Sequence, residues 1–364
     1  TLATAVAWFY IDADRALWVA LSVLVISCPC ALSLATPASL ASAAARLRRL
    51  GVIVYGENAL EGLAATTHAL FDKTGTLTTA AFRCKVTVRH DDRISAQRCV
   101  ALATALQAHA NHPIATAFAS EKVRADLVSD ATYQVGAGIE GRWEGRRVRM
   151  GSGAFCREIA ATLPPPPQRD AYWVALVAEN QPLMWFGLID DLREEAASVI
   201  AALERQGVTC ELVTGDASER GRQIGASLGL RSIYSGMSPQ DKLTRVRELQ
   251  AEGATVTMIG DGLNDAPVLT QANTSIAVAG ATDLARAQAD FVIERGDLRR
   301  VLDLFDTARA TRRVIAQNFA WALGYNALGI PLAALGWIPP WAAALGMSAS
   351  SLIVISNAAR LRRL

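Results

Sequence analysis

The chain has 364 residues and 51% of them are apolar, with a positive mean hydropathy of +0.22, which is more apolar than an ordinary cytosolic enzyme. Its 36 Lys and Arg nearly balance 34 Asp and Glu, so no basic footprint for nucleic acid is present and that class of partner is excluded. The six cysteines lack the spacing of a disulfide framework, and Cys84, Cys99, Cys156 and Cys210 read as scattered reduced thiols.

The first element, "TLATAVAWFYI", reads as the end of a longer apolar span. Thr1 is not an initiator methionine and no basic segment precedes the run, so no cleavable signal is expected and the chain is expected to begin within a longer protein. Ala16–Ala35 follows and approaches the length of about 20 residues that a bilayer core requires. Near its end stands "SCPCAL". A proline inside a membrane helix frees a backbone carbonyl and opens space for a ligand. Cys28 and Cys30 on either side of it are soft donors that select Cu(I), Zn²⁺ or similar ions over hard ones. The blander alternative is a proline kink flanked by two small buried cysteines. Arg46, Arg48 and Arg49 close this element.

The next decisive stretch is "ALFDKTGTLT". An apolar strand delivers Asp72 at its carboxyl end, where open α/β sheets place their chemistry, and Gly75 suits a tight turn whose amides can face a phosphate. From about Ala80 to Gly187 comes an insertion that carries "NHPIA", "GAGIEG" and "GSG", with Pro164 to Pro167 as a stiff surface loop. The earlier strand logic then recurs in "CELVTGD" and "TVTMIGDGLNDAPVL", with "MSPQDK" between them. A carboxylate nucleophile in Asp72, a second carboxylate in Asp261, the Thr214 hydroxyl and the Lys242 ammonium describe a Mg²⁺-dependent phosphoryl-transfer site.

Two more apolar runs, Phe319–Trp337 and Trp341–Asn357, end the chain. Arg312 and Arg313 precede the first, and Arg360, Arg362 and Arg363 follow the second. The positive-inside tendency puts all three arginine clusters on the cytoplasmic side, and the joints "DADRA" and "GWIPP" on the other. These runs hold Asn318, Tyr325, Asn326, Pro331, Met347, Ser350, Ser351 and Asn357 but no Lys, Asp, Glu or His between Phe319 and Ser356. Divalent Zn²⁺ bound by two thiolates wants nearby charge or harder ligands, so the uncharged runs favour a monovalent soft ion.

In order and wording, "DKTGT", "TGD" and "GDGLNDAP" resemble the motifs of P-type ATPases, whose phosphorylation domain has the haloacid-dehalogenase-like fold. The resemblance implies that Asp72 accepts the γ-phosphate of ATP. It further implies that Asp72, the Thr74 carbonyl and Asp261 hold Mg²⁺, that Lys242, Thr214, Gly215 and Asn264 surround the phosphoryl group, and that Asp265 supports this shell. Related phosphatases carry an acid where this chain has Thr74, so the acyl phosphate is expected to persist. His112 and Pro113 match a His-Pro pair that meets adenine in the heavy-metal (P1B-type) branch. Gly136 and Gly138 match its Gly-x-Gly turn, and Gly151 with Ser152 stands where that branch has Gly-Asn. The branch's Ser-Glu before His-Pro is here Ala110 and Asn111, and a further Glu is Gln107.

Cys-Pro-Cys, then Tyr-Asn, then Met with Ser-Ser resembles the Cu(I)-transporting subgroup. By position, Cys28, Cys30 and Tyr325 would form one Cu⁺ site, and Asn326, Met347 and Ser351 a second. The hydrogen-bonding residues among these could instead simply bridge helices. The implied cofactors are ATP and Mg²⁺. The implied partners are membrane lipid, the transported ion and a soluble copper chaperone, and the implied location is a bacterial inner membrane with cytoplasmic catalytic domains.

The expected fold class is membrane α-helical plus α/β: a Rossmann-like phosphorylation domain with an inserted α+β nucleotide-binding domain, flanked by transmembrane helices. The expected divisions are membrane helices over 1–50, phosphorylation domain over 51–80 and 188–310, nucleotide-binding domain over 81–187, and two further membrane helices over 311–364. The family's actuator loop Thr-Gly-Glu does not occur, so the chain reads as a carboxy-terminal portion that would not turn over alone. Ag⁺, Zn²⁺ and Cd²⁺ remain alternative cargoes. A membrane-tethered phosphatase and a metal sensor are the alternatives of other classes; Thr74 and the insertion disfavour the former, and the intact Asp72, Lys242 and Asp261 the latter.

Overall fold

The computed structural model describes residues 1–91, 93–110, 113–119, 125–134, 136–167, 171–215, 219–261, 266–278 and 289–364. Its strands are β1 (Val52–Val54), β2 (His68–Asp72), β3 (Thr78–Arg89), β4 (Ser129–Gln134), β5 (Gly138–Trp143), β6 (Arg146–Gly151), β7 (Tyr172–Ala178), β8 (Gln181–Leu192), β9 (Thr209–Thr214), β10 (Ser232–Ser235), β11 (Val256–Gly260), β12 (Thr274–Val278) and β13 (Phe291–Ile293). The helices are α1 (Leu2–Ile11), α2 (Ala13–Ile26), α3 (Cys30–Arg49), α4 (Ala59–Ala64), α5 (Ala96–Gln107), α6 (Gly153–Arg157), α7 (Ala196–Arg205), α8 (Glu219–Ser227), α9 (Pro239–Ala251), α10 (Ala266–Gln271), α11 (Arg300–Ala334) and α12 (Pro340–Ala359).

The first sheet has seven strands in the order β1-β13-β12-β11-β2-β9-β10. All its pairings are parallel except β1 with β13. Parallel strands covered on both faces need near-continuous apolar runs, and Ala69, Leu70, Phe71, Leu212, Val213, Met258 and Ile259 are all fully buried. One face packs on α7 and the first turns of α11, where Val199, Ile200, Leu203, Val301, Leu304 and Phe305 join the core. The other packs on α9 and α10 through Val246, Leu249, Val268 and Leu269.

The second sheet is antiparallel, in the order β3-β8-β7-β6-β5-β4. Its ladder begins at Thr78 opposite Leu192, so the expected divisions at 80/81 and 187/188 fall inside β3 and β8. The chain enters the second sheet at β3 and leaves it at β8, because that sheet is inserted between β2 and β9 of the first.

Two helical stretches, Ala13–Arg49 and Pro340–Arg363, are long and apolar enough to cross a bilayer, with mean hydropathies of 2.2 and 1.5 over an 18-residue window of each. The run expected over 319–337 forms the second half of α11, where Asn and Gly lower its apolarity. The helices meet through small residues, with Ala31, Ala35, Ala322 and Val354 in one cluster and Val23, Ile26, Ala333 and Ala343 in another, the packing expected where lipid offers no competing hydrophobic drive. At one end the Trp8 indole N–H donates to the Ala334 carbonyl (2.8 Å) and Arg15 donates to the Gly336 carbonyl (3.1 Å), so "DADRA" and "GWIPP" adjoin. At the other, Arg46 donates to Thr307 Oγ1 (2.8 Å) and Arg49 to the Arg362 carbonyl.

Because Phe305 is fully buried where α11 leaves the first sheet, Phe305→Ala is expected to cost about 3–5 kcal/mol. Denaturant unfolding of the purified variant beside the parent checks this.

Candidate functional site

The parallel sheet decides where the chemistry lies. β2, β9 and β11 are neighbours running the same way, so their carboxyl ends bring Asp72, Thr214 and Asp261 to one edge. All three are buried, at 6%, 1% and 8% exposure. After Asp72 the chain turns through the loop Lys73–Leu77, with Gly75 at φ +73°. A β-carbon on Gly75 would lie 3.0 Å from Asp261 Oδ2. The left-handed backbone and this close approach therefore both require glycine.

The Asp72 carboxylate is held at both oxygens. Lys242 Nζ donates to Oδ1 at 2.6 Å and the Thr74 backbone N–H donates to Oδ2 at 3.0 Å. Lys242 is itself buried, on the first turn of α9. That turn is built by Pro239 and a capping box, in which Ser238 Oγ accepts from the Asp241 N–H and Asp241 Oδ2 accepts from the Ser238 N–H. The Ser238 hydroxyl and N–H hold the Asp241 carboxyl below the ordinary carboxylate range. The Met237 N–H donates to the Thr214 carbonyl (3.0 Å), which places the positive end of α9 beside the strand ends. The carboxylates of Asp72 and Asp261 and the carbonyls of the intervening loop are hard oxygen donors, of the type Mg²⁺ takes.

Arg193, which sequence reasoning missed, anchors the Asp72 loop. It donates to the carbonyls of Thr76 (2.9 Å), Gly75 (3.1 Å) and Gly296 (2.7 Å). Nothing in its neighbourhood of sequence announces that role, because all three acceptors are backbone atoms. Its position at the end of β8, where the chain returns to the first sheet, was the one available signal.

In the second sheet, Gln107, Tyr133, Gly136, Gly138, Gly151 and Ser152 line a pocket together with apolar neighbours. Gly138 and Gly151 face each other across β5 and β6. A β-carbon on Gly138 would lie 2.3 Å from the Met150 carbonyl, and one on Gly151 would lie 2.2 Å from the Ala137 carbonyl. Gly136, at φ +75°, has open space before it. Asn264, Asp265 and His112 lie outside the described residues, and of Pro113 only the backbone, at the start of a short 3₁₀ turn, is described.

Among the helices, Cys28 and Pro29 form the break between α2 and α3, and Cys30 is the first residue of α3. Cys28, Tyr325, Asn326, Met347 and Ser350 share one pocket, so residues assigned by position to two sites surround a single cavity. Cys30 and Ser351 are not in its wall; the Ser351 hydroxyl donates to the Met347 carbonyl (3.1 Å). Ser350, named in the sequence but not chosen as a ligand, accepts from the Trp321 indole N–H (3.1 Å). Among the described residues no cluster of three His, Cys, Asp or Glu exists. The remaining cysteines are all free, and burial pushes the thiols of Cys156 and Cys210 up to about 12, which leaves them inert.

Comparison with known proteins agrees with this geometry. Residues 66–273 match the family model of haloacid dehalogenase-like hydrolases. A copper-exporting P-type ATPase of Mycobacterium tuberculosis is 35% identical over 359 residues, which are 96% of this chain and 47% of that protein. The nitrogen fixation protein FixI of Rhizobium meliloti is 37% identical over 365 residues, 100% of this chain and 47% of that protein. A crystal structure of a zinc-transporting PIB-type ATPase in the E2.Pi state superposes with a TM-score of 0.75 at 32% identity, covering 100% of this chain and 61% of that one. The chain thus spans about half the length of the curated relatives it matches.

The glycines of the second-sheet pocket should separate in a stability test. Gly138→Ala meets backbone and is expected to cost about 3 kcal/mol, whereas Gly136→Ala meets only left-handed strain of about 1–2 kcal/mol. Thermal melts of the two variants check the order.

Proposed function

The chain belongs to the haloacid dehalogenase-like hydrolase family, and from that premise we propose that it is the catalytic and ion-binding part of an ATP-driven heavy-metal pump that works through phosphorylated Asp72 and exports Cu(I). The observation that carries the reading is the buried carboxylate of Asp72, held by Lys242 at 2.6 Å on the edge where Thr214 and Asp261 also end.

The chemistry follows from these groups. An Asp72 oxygen attacks the γ-phosphorus of ATP, a new O–P bond forms, the bond to the β-phosphate oxygen breaks, and ADP leaves. Lys242 pairs with the carboxylate and balances charge on the phosphoryl oxygens, while the Thr74 N–H and the Thr214 hydroxyl are donors at the same edge. Asp72, Asp261 and the Thr74 carbonyl are the residues that would hold Mg²⁺, which when bound neutralises phosphate charge. Thr74 supplies no carboxylate to activate water, which favours a lasting acyl phosphate over phosphatase action. The second sheet is assigned to the nucleotide: Gly138 and Gly151 leave no side chain between its strands, and Gly136 leaves the mouth of the pocket clear. His112, Asn264 and Asp265 keep the nucleotide and phosphoryl roles that the motif resemblance gives them, as part of this proposal.

For the cargo, the proposed ligands are Cys28 and Cys30 with Tyr325, Asn326 and Met347, which share the pocket of Cys28; Ser351, expected from the sequence, turns its hydroxyl to the Met347 carbonyl instead. Two thiols with a thioether suit Cu(I), and harder or charged donors suit Zn²⁺. The pocket carries no carboxylate, which supports Cu(I). The similarity to a zinc-transporting ATPase makes Zn²⁺ the competing cargo. Insertion of the apolar helices in a membrane, with the arginine-rich ends on the cytoplasmic side, belongs to the same proposal, as does a soluble chaperone as the copper donor.

The test is acid-stable phosphoenzyme formed from labelled ATP and Mg²⁺ by the full-length protein that contains this chain, with reduced copper, with Zn²⁺ and with neither. Label is expected with copper, absent in Asp72→Asn and no longer metal-responsive in Cys28→Ala. Label driven by Zn²⁺ alone overturns the cargo, and Asp72-independent hydrolysis overturns the mechanism.

A further inference from the structure

One buried ion pair lies beside the phosphoryl-transfer site without touching it. Glu211 is on β9, between the buried apolar residues Cys210 and Leu212, and is 3% exposed. Arg245 on α9 grips it with two parallel bonds, Nε to Oε2 at 3.1 Å and Nη2 to Oε1 at 2.8 Å. The guanidinium also lies over the Tyr234 ring of β10, 4.9 Å from its centroid. The pair therefore ties α9 to two adjacent strands. A carboxylate in such a place costs desolvation energy that an apolar residue would not, so its presence asks for a reason other than stability.

The reason lies in what shares these elements. Lys242 and Arg245 are three residues apart on α9, on one face and about 4.5 Å apart along the axis. Glu211 pairs with Leu70 across the ladder and Val213 with Asp72, so Glu211 sits one side-chain repeat below the nucleophile. Between the polar contacts of the helix, Val246 and Leu249 pack against Leu70, Val213 and Met258 through apolar, non-directional contacts that tolerate sliding. Gln250 fixes the far end of the helix through Gln271 and Asn273. A two-pronged guanidinium–carboxylate contact fixes distance and angle together.

We propose that Glu211 and Arg245 are positioning residues that set the height of α9 on the sheet, and so bring the Lys242 ammonium onto Asp72. The inference rests on the phosphoryl-transfer reading above. It distinguishes two functions of the α9 face: apolar contacts that keep the helix on the sheet, and a guanidinium–carboxylate fork that sets its register near Lys242.

The test uses rapid-quench phosphorylation of the full-length protein from labelled ATP in the wild type, Glu211→Gln, Arg245→Lys and the double variant Glu211→Leu with Arg245→Leu. The apolar pair removes the fork without leaving an unpaired buried charge, so the protein should stay folded. Expected is a single-turnover rate about 10- to 100-fold lower in the double variant, with half-saturating ATP within about twofold of wild type, an unchanged melt, and an intermediate rate in Arg245→Lys. A wild-type rate in the double variant overturns the proposal. So does a loss of rate that merely tracks the fraction unfolded across the three variants, or a change confined to half-saturating ATP. Absence of Asp72-dependent label in the wild type is a different failure, that of the underlying reading.

Discussion

The contact between Lys242 and Asp72 is the constraint from which the rest of the site follows. A carboxylate and an ammonium are taken out of water together at the end of a parallel sheet. Removing one partner of such a pair costs about 3–5 kcal/mol, so the elements that carry them must arrive in fixed relation. β2 must end at residue 72, α9 must begin within a turn of residue 242, and the Lys73–Leu77 loop must turn sharply enough to bring the Thr74 N–H back onto the carboxylate. The capping box at Ser238, glycine at 75 and the grip of Arg193 on the loop carbonyls each satisfy one of these demands.

The same edge is also the point at which the molecule branches. The loop after Asp72 runs directly into β3, the first strand of the second sheet, and the chain returns through β8 to Arg193. A displacement of the second sheet is therefore felt first by the loop that holds the nucleophile. Toward the helices, α11 starts in the core of the first sheet at Val301, Leu304 and Phe305 and continues unbroken to the pocket residues Ala322, Tyr325 and Asn326. Its 35 residues span about 50 Å. Through this one helix the core of the first sheet and the pocket residues are joined without an intervening loop.

Much of this was legible in the sequence because it depends on short-range pattern. Apolar strands ending in Asp or Thr-Gly announced the sheet edge at which Asp72, Thr214 and Asp261 meet, and the joints between apolar runs announced which helix ends adjoin, whereas Cys-Pro-Cys reads as a kink within one helix and is a break between two. What escaped shares one property: the partner is distant and chemically anonymous. Arg193 binds main-chain carbonyls from two separate loops, and any residue has a carbonyl. Glu211 and Arg245 are 34 residues apart, and only the strand register turns them toward each other. Ser350 rather than Ser351 faces the pocket because a helix step of one residue turns a side chain through about 100°, finer than an apolar run can fix.

The thiol pocket shows the same division between composition and placement. Its donor types could be read from the sequence, and composition alone argues for a soft ion. Their grouping could not, because Pro29 does more than kink a helix: it ends one and starts another. The break puts Cys28 in the wall of the pocket that Tyr325, Asn326 and Met347 also line, while Cys30 enters the first turn of α3 and stays out of that wall. An ion held by both would bridge the end of α2 and the start of α3. Since α3 packs along α11, and α11 begins in the core of the sheet that carries Asp72, the thiol pocket and the carboxylate are joined by one connected set of elements.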